Sequence, residues 1–276
     1  MKRRALILAL SAACLMSSAF AQTTAPLKIG VFSGAAAALV EVAAQEARKQ
    51  GLDVRLTEFS DWTTPNAAVD AGDLDANYFQ HQAFLDDAIR ARGYKLKSVD
   101  IGILTNIGLF SNKFKRLEEI KEGQRIGIYS DPSNQTRSLR FLESAGLIKL
   151  KAARNANEKI TVADITDNPK KLKFIEIDGP QLVRSFEDVD LATIYAHTLV
   201  VAGKADLANR GLAYSKEDDL YYAARFVTRE NNTNDPRLKR FVKVFHESPV
   251  VRQAIHEAYA KNDRLYSLPW LKGKVQ

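Results

Sequence analysis

Three clusters of residues in this chain have the types and spacing to recognise a small molecule. The first is Asp75-Ala76-Asn77-Tyr78-Phe79-Gln80-His81-Gln82-Ala83-Phe84-Leu85, which packs an acid, amides, three aromatics and one of the four histidines into one stretch. Stacking faces and hydrogen-bonding groups at this density make a binding wall. The second is Asp131-Pro132-Ser133-Asn134-Gln135-Thr136-Arg137. Asp131 as N-cap with Pro132 behind it starts a helix, and Arg137 follows within about its first two turns. Unpaired amides, a partial positive charge and a guanidinium fork at one spot match a carboxylate. Pairing with Glu143 or another neighbour is the plain surface alternative for Arg137, and Arg140 is its rival. The third is Trp62, in the loop Ser60 to Asn66. It follows a strand and so sits at a carboxyl end, where open α/β sheets bind ligands; a core tryptophan is the competing reading.

The same residues exclude other chemistry. No second histidine, cysteine or carboxylate cluster lies at metal-ligand spacing from His81, so zinc is rejected. No Gly-x-Ser-x-Gly motif or paired-carboxylate cleft is present. No catalytic residue, metal or cofactor is therefore expected, and the chain does not read as an enzyme.

The elements that must position these clusters alternate between strand and helix. Leu27 to Phe32 is an apolar strand, Ser33-Gly34 a turn and Ala35 to Gln50 a helix. Asp53 to Phe59 is a second strand, and Thr64 caps a short helix with Pro65 at its first position and its end at Gly72. Asp75 reads as a helix-starting acid, with helix from Gln80 to Arg92 and Phe79 and His81 at the turn before it. Phe84, Leu85, Ala88 and Ile89 keep helical spacing, which makes Phe84 a core residue. Ile101 to Ser111 is extended and too long for one ordinary strand, suiting a crossing between two lobes. Gln124 to Tyr129 is a strand before the Asp131 helix, and Leu172 to Ile177 and Asp190 to Tyr195 are further strands. Ile160 to Ile165 is helix or strand. Tyr222 to Arg229 is extended, and Asp235 to Asn262 forms two amphipathic helices broken at Ser248-Pro249, with Leu238, Phe241, Val242 and Phe245 on one face.

The chain has 276 residues, 46% of them hydrophobic and 26% charged, which suits a soluble globular protein. Of the net charge of +7, three positive charges fall on Lys2, Arg3 and Arg4, leaving +4 beyond residue 21. Acids and bases are interspersed rather than gathered, which argues against nucleic acid. Lys2-Arg3-Arg4, the apolar run Ala5 to Met16 and the small-x-small site Ala19-Phe20-Ala21 read as a signal peptide over 1–21, cleaved near Ala21 for export to the periplasm. The only cysteine, Cys14, lies within it, so disulfides are excluded after cleavage. Leu10 stands one place too early for a lipoprotein signal, so membrane anchoring through a lipidated Cys14 is the alternative to simple cleavage.

The order of these motifs resembles the NlpA family, the substrate-binding proteins of methionine-type ABC importers. The likeness runs from Leu27-Lys28-Ile29-Gly30-Val31 through Asp61 to Asn66, Asp75 to His81, Asp131-Pro132-Ser133-Asn134 with Arg137, Ala145 to Leu150 and Asp167-Asn168-Pro169 to Val227-Thr228-Arg229-Glu230. It implies a two-lobed periplasmic-binding-protein fold of the α/β class, each lobe a mixed sheet flanked by helices, with an amino acid in the interlobe cleft. One lobe would be 27–106 plus 226–276 and the other 107–225, with crossings near Ile107 and Phe226. The resemblance also implies a pocket of Trp62, Phe79, His81 and Arg137, with Asn134 close by, Arg137 on the α-carboxylate, and Phe79 with Trp62 around the side chain. The partners implied are a small-molecule amino acid and an inner-membrane ABC permease, with the protein itself a monomer.

Two positions depart from that pattern. Methionine-binding members usually carry asparagine where this chain has Tyr195 and where it has Ala224. Tyr195 would then fill part of the pocket and shift the ligand to another amino acid or a related carboxylate or dipeptide. A surface lipoprotein or adhesin of the same fold is the remaining alternative.

Overall fold

The computed structural model describes residues 25–152, 158–215 and 219–271. The signal peptide over 1–21, its cleavage near Ala21 and Cys14 lie outside the described residues.

Three successive strand–helix units open the fold. They are β1 (Leu27–Phe32) with α1 (Ala35–Lys49), β2 (Val54–Phe59) with α2 (Thr64–Ala71), and β3 (Ala76–His81) with α3 (Gln82–Arg92). Next come β4 (Leu96–Ile101), the short β5 (Leu104–Thr105) and β6 (Ile107–Phe110). The expected long extended run is thus three strands. A second alternating region follows, with β7 (Arg125–Tyr129), α4 (Pro132–Ser144), the short pair β8 (Lys149–Leu150) and β9 (Ile165–Asp167), then β10 (Lys173–Ile177) and α5 (Gly179–Leu182). Then β11 (Leu191–Tyr195) leads into α6 (Ala196–Val201), α7 (Ala205–Ala208) and β12 (Ala213–Tyr214). The chain closes with β13 (Ala224–Arg229), α8 (Pro236–Glu247), α9 (Pro249–Ala258) and β14 (Tyr266–Ser267).

These strands form two five-stranded mixed sheets, ordered β2-β1-β3-β13-β4 and β10-β7-β11-β6-β12. In the first, β1 pairs in parallel with β2 and β3, while β13 lies antiparallel between β3 and β4. In the second, β7 pairs in parallel with β10 and β11, and β6 lies antiparallel to β11 and β12. The fold is of the two-lobed α/β class, one lobe around each sheet.

Each lobe follows from its hydrophobic pattern. In α8 the expected face of Leu238, Phe241, Val242 and Phe245 is buried, because residues spaced three and four apart line one side of a helix. Phe245 and Phe226 meet edge to face at 5.3 Å, and Tyr78 stacks on Phe226 at 4.5 Å, so this helix seals the first sheet. In the second lobe Ile126, Ile128, Leu191 and Ile194 carry the core with Leu139 and Leu142 of α4, all fully buried.

The structure corrects the reading of the central motif. Gln80 and His81 belong to strand β3, not to a helix, and the helix begins at Gln82. Backbone pairing on both sides, Asn77 against Gly30 and Val227, outweighs the local helical pattern. Asp75 starts no helix. Its carboxylate accepts the Lys28 N–H at 2.9 Å and pairs with Arg237 at 3.1 Å, clamping β1 and α8. Thr64 is helical rather than the cap. Asp61 serves that end from outside, accepting the amides of Thr63 and Thr64 at 2.8 and 2.7 Å. The Thr64 amide bond is the chief reason its carboxyl is held down at about 2. Ile160 to Ile165 resolves into a 3-10 turn, Val162–Asp164, followed by β9.

Candidate functional site

The carboxyl ends of β3, β7 and β11 point into one cavity, and the residues after them form its walls. All six sequence-expected residues gather there or on its rim: Trp62, Phe79, His81, Asn134, Arg137 and Tyr195 line the same space. Loop residue Trp62 and strand residues Phe79 and His81 come from the first lobe, while Asn134, Arg137 and Tyr195 come from the second. Phe84, expected in the core, is half-buried and joins the wall, its ring edge-on to Trp62 at 6.1 Å and Phe79 at 5.9 Å.

The motif around His81 divides between structure and surface. Asn77 and Gln80 are buried and bond to Asn66, with Asn77 Nδ2 donating to Asn66 Oδ1 at 2.9 Å and Asn66 Nδ2 donating to Gln80 Oε1 at 2.9 Å. These amides fix α2 against β3 and leave Phe79 and His81 to face the cavity. His81 Nδ1 accepts the Phe84 N–H at 3.2 Å, so its proton is on Nε2, which donates to Asn134 Oδ1 at 3.0 Å across the two lobes. Burial, reinforced by the nearby Arg137 cation, lowers the His81 pKa to about 3. His81 is therefore a neutral donor at neutral pH.

Asp131 organises the opposite wall. Its side chain caps α4 by accepting the Asn134 N–H at 3.0 Å and also holds Asn134 Nδ2 at 3.0 and 2.9 Å. That grip points Asn134 Oδ1 at His81 and at the Tyr195 hydroxyl, which donates to it. Arg137, only 2% exposed, donates from Nη1 to the Tyr195 hydroxyl at 3.1 Å and from Nη2 to the Thr105 carbonyl at 2.8 Å. Its guanidinium lies over the rings of Tyr195 at 5.1 Å and Tyr222 at 4.7 Å, a desolvated cation–π seat. The rival Arg140 instead reaches the Glu158 carbonyl at 3.3 Å and does not line this cavity.

Among the described lining residues Arg137 is the one charged side chain, and most of the remainder is aromatic or aliphatic. Such a cavity can hold an anion at one end and an apolar body along the rest. Sequence reasoning missed Thr105, Tyr222, His197 and Tyr259, all of which line it. They come from crossing segments and from α6 and α9 ends, where no local pattern marks a residue as cavity-facing. Only the aromatic density of Tyr221-Tyr222 gave any signal.

A cleft of this make-up between two α/β lobes defines a solute-binding protein of the two-lobed class. The chain belongs to the NlpA lipoprotein family, whose model matches residues 27–265. It is 38% identical over 229 residues to the D-methionine-binding lipoprotein MetQ of Salmonella typhi, covering 83% of this chain and 84% of that one. It is 40% identical over 232 residues to the probable D-methionine-binding lipoprotein MetQ of Vibrio cholerae, covering 83% and 84%. Among solved structures, a nutrient-binding protein from Burkholderia cenocepacia bound to methionine matches with a TM-score of 0.81 at 36% identity, over 88% of this chain and 100% of that one. The methionine-binding protein MetQ matches with a TM-score of 0.76 at 36% identity, over 85% and 95%. The protein is accordingly a binding protein and not an enzyme, as its sequence indicated.

Proposed function

We propose that this protein is the substrate-binding component of an ABC importer and that its ligand is an amino acid, methionine or a close relative of it. The observation that carries this reading is Arg137, buried at the polar end of a largely aromatic and aliphatic cleft to which both lobes contribute. In this reading Arg137 binds the α-carboxylate, Phe79 and Trp62 flank the side chain, and His81, Asn134 and Tyr195 complete the pocket. The lobes are 27–106 plus 226–276 and 107–225. The mature chain, exported to the periplasm and cleaved near Ala21, works as a monomer that presents its closed form to a membrane permease. Among the described residues no helix is long and apolar enough to cross a membrane, and the lipoprotein names of the relatives support anchoring through Cys14 as the alternative to release.

A thermal-shift and calorimetry panel of D- and L-amino acids on refolded, ligand-free protein tests the reading. Ligand at 100-fold its dissociation constant stabilises by about 2.7 kcal/mol, so methionine or a close relative raises the unfolding midpoint. Arg137→Ala weakens that binding by roughly 2 kcal/mol or more, as for a desolvated charge-assisted pair. An unchanged affinity would remove Arg137 from the carboxylate site. A relative 38% identical to this chain, from Mannheimia haemolytica, is called outer membrane lipoprotein 2, which favours a surface-protein role as second reading. Failure of every amino acid, dipeptide and carboxylate in the panel to bind selects that role.

A further inference from the structure

One polar atom in the cleft has no use in the reading above. His197, in the first turn of α6 just beyond Tyr195, lines the same cavity, and its Nδ1 is buried with no hydrogen-bond partner among the described residues. Its ring packs against Tyr195 at 6.1 Å and Tyr259 at 5.6 Å, which fixes its place without satisfying that nitrogen. The great majority of buried polar atoms in native proteins are paired, and one left open on a cavity wall is placed to meet a partner from outside the chain.

The chemistry of that partner follows from what the rest of the cavity offers. Asn134 Oδ1 already accepts from His81 and Tyr195 and His81 Nδ1 from the Phe84 amide, which fills both, while Gln80 Oε1 and the Thr105 carbonyl each accept one bond, from Asn66 and Arg137, and His197 Nδ1 accepts none among the described residues. No carboxylate lines the cavity among the described residues. An amino acid held by its carboxylate at Arg137 still needs an acceptor for its ammonium group. Burial holds the His197 imidazole neutral, with a pKa lowered to about 4, and in the tautomer that carries its proton on Nε2 the ring presents an acceptor lone pair at Nδ1. His197 and Arg137 lie against the same Tyr195 ring, 6.1 and 5.1 Å from its centre, on the scale of one small molecule.

We propose that His197 Nδ1 accepts a hydrogen bond from the α-ammonium group of the bound ligand. His197 is then the residue that separates an amino acid from a carboxylic acid of the same shape lacking the amine. The inference rests on the amino-acid reading given above and adds the group that selects for the amine. At the two positions where asparagine is usual in methionine-binding members, this chain has Tyr195, whose hydroxyl is committed to Asn134 and Arg137, and Ala224, which carries no polar side-chain atom. His197 would supply the acceptor in their place.

Calorimetry on ligand-free mature protein, with methionine and its des-amino analogue 4-(methylthio)butanoate as probes, tests this. In wild type methionine binds the tighter of the two. His197→Phe and His197→Leu, each verified as folded by circular dichroism, weaken methionine by about tenfold or more and the des-amino acid by less than about twofold. His197→Asn, which restores an acceptor oxygen, recovers part of the loss. Equal losses for both probes would reduce His197 to packing, and an unchanged methionine affinity would remove it from the site; either overturns the proposal. Wild type that prefers the des-amino acid also overturns it while leaving the carboxylate site intact. Wild type that binds neither probe nor any other amino acid overturns the amino-acid reading itself.

Discussion

His81 shows how one side chain is set by its neighbours. The Phe84 amide takes its Nδ1, which sends the proton to Nε2 and toward Asn134 in the other lobe. A free histidine titrates near 6.5, whereas burial first and the Arg137 cation second bring this one to about 3. The sign follows from linkage. With the folded pKa depressed, the contribution of the neutral ring is fully present above about pH 6.5 and is lost as pH falls toward 3. By pH 4 the loss amounts to roughly 3 kcal/mol, and His197 adds a change of the same sign. Thermal unfolding between pH 7.5 and 4 therefore shows a falling midpoint, and His81→Gln flattens the fall. A profile identical to wild type would mean that His81 titrates in the folded protein as it does in the unfolded chain.

Helix α4 carries two of the cleft residues, and its N-terminus sets both. Asp131 accepts the Asn134 N–H and the Ser133 hydroxyl at 2.8 Å while gripping the Asn134 amide, so one carboxylate caps the helix and aims a cavity side chain. Burial raises its pKa, and the hydrogen bonds oppose that rise. Asp131→Ala is expected to destabilise the protein by about 1–2 kcal/mol, the usual cost of a lost cap, and to weaken ligand binding because Asn134 is released. Chemical denaturation and calorimetry on the same variant separate the two effects. Stability within error of wild type would show that the cap contributes nothing. This element was legible from Asp131-Pro132 because capping is local chemistry. Strand β3 was not, since it takes its conformation from β1, which pairs with Ala76 to Tyr78, and from the distant β13, where Ala224 pairs with His81.

The two lobes meet where the cleft shuts. Trp62 of the first lobe lies so close to Gly179, at the start of α5 in the second, that a Cβ on that glycine would stand 2.0 Å from the indole ring. Lys159 reaches Asp87 across the same mouth at 2.8 Å, and His81 meets Asn134 inside it. Contacts of this kind exist only when the lobes are together, so a ligand that bridges them shifts the population toward closure. Gly179 is not in the positive-φ region, so Gly179→Ala meets no left-handed strain yet props the lobes apart at Trp62. Its expected effect is affinity weaker by about tenfold and a larger radius of gyration in the ligand-bound state by X-ray scattering, with the ligand-free unfolding midpoint near that of wild type. Closure equal to wild type would mean that Trp62 can swing away freely.

By itself the sequence determined what depends on neighbours in the chain. Strand and helix alternation, the cap at Asp131, the break at Ser248-Pro249 and the buried face of α8 all rest on local geometry and hydrophobic period. The resemblance to the family also implied the six expected cleft residues, and the structure gathers them around one cavity. Tertiary structure alone decided how the work is divided among them. Asn77 and Asp75 share a motif with His81 but serve the fold, because their side chains meet Asn66, Lys28 and Arg237 rather than the cavity, while Gln80 borders the cavity with its amide tied to Asn66. Thr105, His197, Tyr222 and Tyr259 enter the cleft from four distant segments. A cavity is made where surfaces from remote parts of the chain converge, and no periodicity along the chain records that convergence.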